Sequence, residues 1–135
     1  MIEVSCSEAC QPGVSSGPPP TGIPLSQALA QSVLDSTVEV EGQACSEIYE
    51  GSGFAVGPGL VVTNAHVVAG ERPGNTSVLL PSGRTLPATV VMFDPVRDLA
   101  LLSVPSLGET PLPLAAPQVG EVGAVFGHPN GQSQV

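Results

Sequence analysis

Val61-Val62-Thr63-Asn64-Ala65-His66-Val67-Val68 decides how the rest of this chain reads. The β-branched run before Asn64 reads as a strand, and the chain then passes through one small residue to a histidine. Gly57-Pro58-Gly59 reads as a tight turn, and Gly51-Ser52-Gly53-Phe54-Ala55-Val56 as the partner strand. His66 is therefore expected where a strand ends, held by backbone pairing on one side and a short turn on the other. That suits a side chain that must be aimed. It equally suits a histidine that merely caps a strand.

Two further features bear on the choice. Phe93-Asp94-Pro95-Val96-Arg97-Asp98-Leu99-Ala100-Leu101-Leu102 puts an acid at the head of an apolar strand, downstream of His66. A carboxylate beside a buried run is costly without a partner, and a histidine Nδ1–H is a suitable one. Such a pair fixes the ring tautomer, so that Nε2 can take a proton from a nucleophile. Asp94 is a rival for the acid role. Asp98 is preferred because it abuts the apolar strand, whereas Asp94-Pro95 looks like turn chemistry. Arg97 lies between the two acids and is expected to screen them from each other. The other feature is Gly51-Ser52-Gly53-Phe54, a glycine-rich strand that the hairpin brings beside His66. An ordinary edge-strand bulge would read the same way.

Working outward, residues 1–23 have a linker composition, with Ser15-Ser16-Gly17-Pro18-Pro19-Pro20 at their centre, and are expected to form a flexible tail. Leu25, Ala28, Leu29 and Val33 fall at helical spacing, which predicts a short amphipathic helix over residues 25–34, packed on the strands after it. Thr37-Val38-Glu39-Val40-Glu41-Gly42 alternates and reads as a strand with one wet face. Strands are then expected over residues 45–56, 60–63, 77–80, 84–93 and 99–104, with one helical turn after His66. That makes six, about what one small antiparallel barrel needs. Pro105, Pro111, Pro113 and Pro117 mark residues 105–118 as a linker. Residues 121–127 read as one last strand, with His128 in a solvent-exposed turn after it.

The 135 residues suffice for one domain and its core, not for two full barrels. With 41% hydrophobic and 11% charged residues, most of the chain is not disordered, while 16 glycines and 15 prolines imply many turns. A net charge of −9, with Arg72, Arg84 and Arg97 as the only fixed cations, argues against binding nucleic acid or an anionic membrane surface. The chain has no stretch of about 20 apolar residues and no basic, apolar start of the signal-peptide kind. Two histidines and three scattered cysteines offer no zinc-like spacing beyond a loose Cys6/Cys10 pair, so neither a metal nor a cofactor is expected. Cys6 and Cys10 either bridge to each other or lie in the tail. Cys45 is the odd one out, with no partner expected inside the chain.

GSGF, TNAHVV and DLALL, here Gly51–Phe54, Thr63–Val68 and Asp98–Leu102, resemble the chymotrypsin-like (trypsin-like) serine peptidases, in their bacterial stress-protease branch. Within that branch, the pattern is similar to the membrane-anchored periplasmic members of actinobacteria. Cys45 before the GSGF strand and Gly127-His128-Pro129-Asn130-Gly131 match their pattern. The resemblance covers roughly residues 36–135. It implies an all-β, antiparallel six-stranded barrel, the first lobe of a two-barrel fold, over residues 24–104 with the preceding helix. Residues 105–118 would link the barrels, and residues 119–135 would open a second, incomplete one.

On the family's pattern, His66 is the general base and Asp98 its orienting acid, acting on a peptide or protein substrate without a cofactor. The resemblance also implies that Cys45 bridges to the missing C-terminal lobe, in an extracytoplasmic compartment, with any membrane anchor upstream. A free half-buried thiol is the alternative. The family's serine, in a GxSGG-like segment, has no counterpart among these residues. Ser133 lacks a following glycine pair, and Ser103 lies inside an apolar strand. The expected function is therefore that of a trypsin-like serine endopeptidase domain carrying the base and the acid of the triad. The alternatives are a non-catalytic β-barrel binding module of the same shape, and a hydrolase using another nucleophile such as Cys45.

Overall fold

Alternating valines on short strands bury one face each, and six such faces close on themselves. In the computed structural model, residues 25–128 are described. Strands β1 (Thr37–Ala44), β2 (Glu47–Gly57), β3 (Leu60–Thr63), β4 (Thr76–Leu79), β5 (Thr85–Asp94) and β6 (Leu99–Ser103) form a closed antiparallel barrel in the order β1-β2-β3-β6-β5-β4. This is the expected six-stranded barrel. Closure gives every strand two neighbours. Its interior is filled by Val38, Val40, Val61, Val78, Leu86, Ala100, Leu102 and Val104, all buried. Register shifts at Ala55/Gly57 and Val90/Met92 interrupt the ladders. Such bulges bend strands around a small barrel.

The first hairpin is longer than its sequence suggests. β1 runs on to Ala44, paired with Glu47, and Cys45-Ser46 is the two-residue turn rather than the start of β2. Both turn residues have positive φ, 52° and 74°. That is the backbone of a primed turn, whose twist matches the flanking strands. Cys45 is exposed at this tip and free. Cys6, Cys10 and the tail expected over residues 1–23 lie outside the described residues.

Helix α1 (Gln27–Ser36) begins two residues later than predicted, because Ser26 caps it: the Leu29 N–H donates to Ser26 Oγ at 3.1 Å. Its apolar stripe is only partly covered, with Leu29 left 54% exposed. The helix is tied to the body at its end, where Ser36 Oγ donates to the carbonyl of Thr110 at 2.5 Å. None of the described helices is long and apolar enough to cross a membrane.

Three expectations after β6 and on β1 are corrected. Residues 121–127 form no strand. A strand needs a ladder, and every strand of the closed barrel already has two neighbours. This segment crosses the outside of the β1–β2 pair, where the His128 N–H donates to Ser52 Oγ at 2.7 Å. Gly127 permits that approach, since a Cβ there would lie 2.8 Å from Ser52 Oγ. Consequently His128 is not a solvent-exposed turn residue: its side chain is 12% exposed, with Nδ1 4.0 Å from Glu39 Oε2. The supposedly wet face of β1 is covered over its first half too: Glu39 is buried and Glu41 partly so, while Gln43 stays exposed. Burial raises the Glu39 pKa; the His128 ring works against this, while Glu50 and Glu41 add to it.

Helix α2 (Ala65–Val68) sits against the β1–β2 hairpin, and small residues make room for it. A Cβ on Gly51 would fall 2.4 Å from Val67 Cγ2. A Cβ on Gly42 would fall 2.6 Å from the Val67 carbonyl oxygen and overlap the Glu71 carboxyl. Thr76 Oγ1 donates to Glu71 Oε2, while Glu71 Oε1 is buried with no hydrogen-bond partner among the described residues. Burial pushes the Glu71 pKa up from 4.5 to about 7.

A carboxyl with a raised folded-state pKa favours folding when protonated. That contribution is complete below pH 4.5 and is lost as pH rises through about 7. Glu71→Gln, which needs no proton, is expected to stabilise the barrel by about 1 kcal/mol at pH 8, after discounting for the side chain's partial solvation. Near pH 4 the two proteins should match. Urea midpoints at the two pH values check this, and a gain that does not depend on pH would refute it.

Candidate active site

The site forms where two strand ends meet. β3 pairs with β6, placing Thr63 opposite Ala100. The residues just beyond those ends, Asn64 to His66 on one side and Asp98 on the other, are thereby neighbours despite their distance in sequence. Thr63 Oγ1 anchors the end of β3 by donating to the Ser52 carbonyl at 2.8 Å. Helix α2 then starts at once and carries His66 on its exposed side, while Ala65, Val67 and Val68 are buried. The turn that ends in Asp98 brings its carboxylate back over the start of α2.

His66 Nδ1 lies 2.7 Å from Asp98 Oδ2, and the His66 backbone N–H donates to Asp98 Oδ1 at 2.9 Å. Both carboxylate oxygens thus face one residue. An ionised carboxylate only accepts, so the neutral ring carries its proton on Nδ1 and its lone pair on Nε2. The histidine side chain is 71% exposed and the acid 44%. A partner can therefore reach the ring. Burial acts to raise the Asp98 pKa. The bonds from the His66 backbone and ring, the His66 charge and the Asn64 amide outweigh it and hold the carboxyl below its ordinary value.

Asp94 is elsewhere. Its Oδ1 accepts from the backbone N–H groups of Val96 and Arg97 at 3.0 and 3.1 Å, the turn chemistry read from Asp94-Pro95. Its Oδ2 takes the Arg97 guanidinium at 2.7 Å. That guanidinium, with the backbone bonds, holds the Asp94 carboxyl below its usual range. Arg97 is thus committed to Asp94.

Sequence reasoning passed over Asn64, whose Nδ2 lies 3.1 Å from the Asp98 carbonyl oxygen and 3.2 Å from Asp98 Oδ2. An asparagine directly before a helix was a signal for capping, not for this contact.

Beside the pair, a cleft of about 420 Å³ opens between Val33, Phe54, Val62, Asn64, Leu99 and Val125. Its lining is mainly apolar. Among the described residues, Glu39, Glu41 and Glu50 bring carboxylate oxygens within 4.8 Å of one another. This set lies on the outer face of the β1–β2 pair, and no other feature there points to an ion. Ser103 lies within β6.

Comparisons with known proteins bear on the family and the fold. The model of the trypsin-like peptidase domain matches residues 51–135. The serine protease Rv3671c of Mycobacterium tuberculosis is 41% identical over 101 residues, which are 71% of this chain and 24% of that protein. A protein named as a probable periplasmic serine endoprotease, DegP-like, of Chlamydia pneumoniae is 46% identical over 61 residues, 44% of this chain and 12% of that protein. The crystal structure of the active form of the Rv3671c protease superposes with a TM-score of 0.69 at 37% identity, covering 78% of this chain and 47% of that one. The chain therefore spans about a quarter of the first of these proteins and about half of the crystallised protease. A peptidase-domain match over more than half the sequence, on a six-stranded barrel of the same fold as a solved serine protease, shows that this chain belongs to the trypsin-like peptidase domain family.

Proposed function

We propose that this barrel supplies the general base and the orienting acid of a serine endopeptidase. The observation that carries the reading is the two-point contact of Asp98 with His66, one oxygen on the ring Nδ1 and one on the backbone N–H. In that role His66 takes the proton of a serine through Nε2 and passes it to the leaving amine, while Asp98 stabilises the cationic ring. The nucleophile and the oxyanion donors would come from a second lobe, and the substrate is a peptide or protein. Exposed Leu99, Val122 and Val125 and the apolar cleft beside the pair supply a surface for that lobe. The exposed thiol of Cys45 is accessible to a cysteine of the same lobe. An extracytoplasmic location is supported by the relative named as periplasmic.

A base and its acid do not attack a carbonyl; they activate a group that does. The purified 135-residue chain is therefore expected to leave an unfolded protein substrate intact. Joined to the C-terminal lobe of the Rv3671c protease, it is expected to cleave, in a manner that requires His66. Cleavage by the chain alone that disappears in His66→Ala would reveal a nucleophile within it. A well-folded chimera with no activity would favour a binding module of peptidase shape.

A further inference from the structure

Asn64 and Asp98 have exchanged the tasks that their chain positions give them. Asn64 is the N-cap residue of α2, with φ −78° and ψ 143°. From that backbone an asparagine side-chain oxygen ordinarily accepts from the second or third N–H of the helix. It makes no such bond. The second helical N–H, that of His66, goes to Asp98 Oδ1 instead. The Asn64 side chain turns the other way, and its Nδ2 donates to both the carbonyl oxygen and the Oδ2 of Asp98. Both partners only accept, so the amide nitrogen, not its oxygen, must face them.

Asp98 needs such a hold. Its φ of 55° lies in the left-handed region, which an aspartate tolerates but does not prefer. Its carboxylate has to serve a ring and a backbone N–H at once, from a turn that is partly exposed. One amide bonded to both the main chain and the side chain of Asp98 restrains the two together.

We propose that Asn64 is a positioning residue for the His66–Asp98 pair: its amide locks the Asp98 carboxylate in register with His66, and its failure to cap α2 leaves the His66 N–H to Asp98. The proposal rests on the catalytic reading of that pair. It differs from a helix-stabilising role in a testable way. Serine is as good an N-cap as asparagine but has a single O–H to give where the amide has two N–H groups. A serine at position 64 can bond the helix's own N–H groups and so compete with Asp98 for them.

The test uses the isotopically labelled 135-residue chain and reads the His66 ring by NMR. In the unaltered chain the Nδ1 proton should resonate at low field and exchange slowly, with ring nitrogen shifts of the Nδ1–H form. In Asn64→Ser the melting temperature should hold. The Nδ1 proton should nevertheless exchange on the order of tenfold faster, matching the loss of one charge-assisted bond, and the ring should become a mixture of tautomers. Asn64→Ala should alter the ring in the same way, with any loss of stability coming from the amide's lost bonds to Asp98, since Asn64 forms no cap to lose. Unchanged ring signals in both folded variants would overturn the proposal and leave the pair intact. So would a ring change in Asn64→Ser that merely follows a fall in melting temperature, since that is a structural role. The catalytic reading fails separately, if the unaltered ring is not Nδ1–H or if Asp98→Asn leaves its nitrogen shifts unmoved.

Discussion

Alanine at position 66 is expected to lower peptidase turnover roughly a millionfold in a two-lobed protein built on this barrel. The imidazole is the group placed to accept the serine proton. Without it the hydroxyl must attack at its own unfavourable pKa, and the leaving amine departs unprotonated. Asp98→Asn should cost about ten-thousandfold, because an amide next to Nδ1 can hold the wrong tautomer and cannot stabilise the cationic ring. The two losses should not multiply. Asp98 acts through His66, by the 2.7 Å and 2.9 Å contacts that both end on that residue. The double variant is therefore expected to be no slower than His66→Ala alone. Turnover numbers for the four proteins, in the chimera with the Rv3671c lobe, form the cycle that decides. Independent, multiplying effects would mean that Asp98 works on something other than His66.

Leu102→Ala is expected to destabilise the barrel by roughly 3 kcal/mol or more. Leu102 is fully buried in β6, with Val61 paired on one side and Val90 on the other. Removing its isobutyl group leaves a cavity walled by strands that cannot collapse, because each is tied into a closed ladder. A domain of this size has a total stability of about 5–15 kcal/mol, so the change takes a large share of it. The urea midpoint should fall by a molar or more. Val96→Ala is the control: that side chain is 91% exposed, and its loss should move stability by no more than about 0.5 kcal/mol. Equal midpoints for the two variants would show that the interior is not packed around Leu102.

Both results would depend on features of very different visibility. The six strands could be read directly, because a half-buried strand writes its environment into alternate residues and its ends into Gly, Pro and Asn. Val38, Val40, Val61 and Leu102 announce their burial by type, and Gly57-Pro58-Gly59 and Pro81-Ser82-Gly83 announce the turns. Asp98 could be chosen over Asp94 for a local reason too: Asp94-Pro95 is turn chemistry, and its carboxylate does bind the N–H groups two and three residues on.

What escaped the sequence was most contacts between segments distant along the chain and not aligned by a ladder. The alternation of β1 gave Glu39 to solvent, but only the path of residues 126–128 over Ser52 decides that it is buried. Residues 121–127 carry strand-forming side chains, yet pairing is a property of two strands, and the barrel had already closed. Glu71 sits in a polar loop sequence, and its raised pKa comes from burial, with Gly42 of β1 leaving room for its carboxyl. Asn64 is the sharpest case. Its residue type and its place before α2 both specify a helix cap. The partner it takes instead lies 34 positions away, and only the pairing of β3 with β6 brings the two together. Local backbone preference is encoded in neighbouring residues. The direction of a side chain near a strand end is set by whatever the closed sheet places across from it.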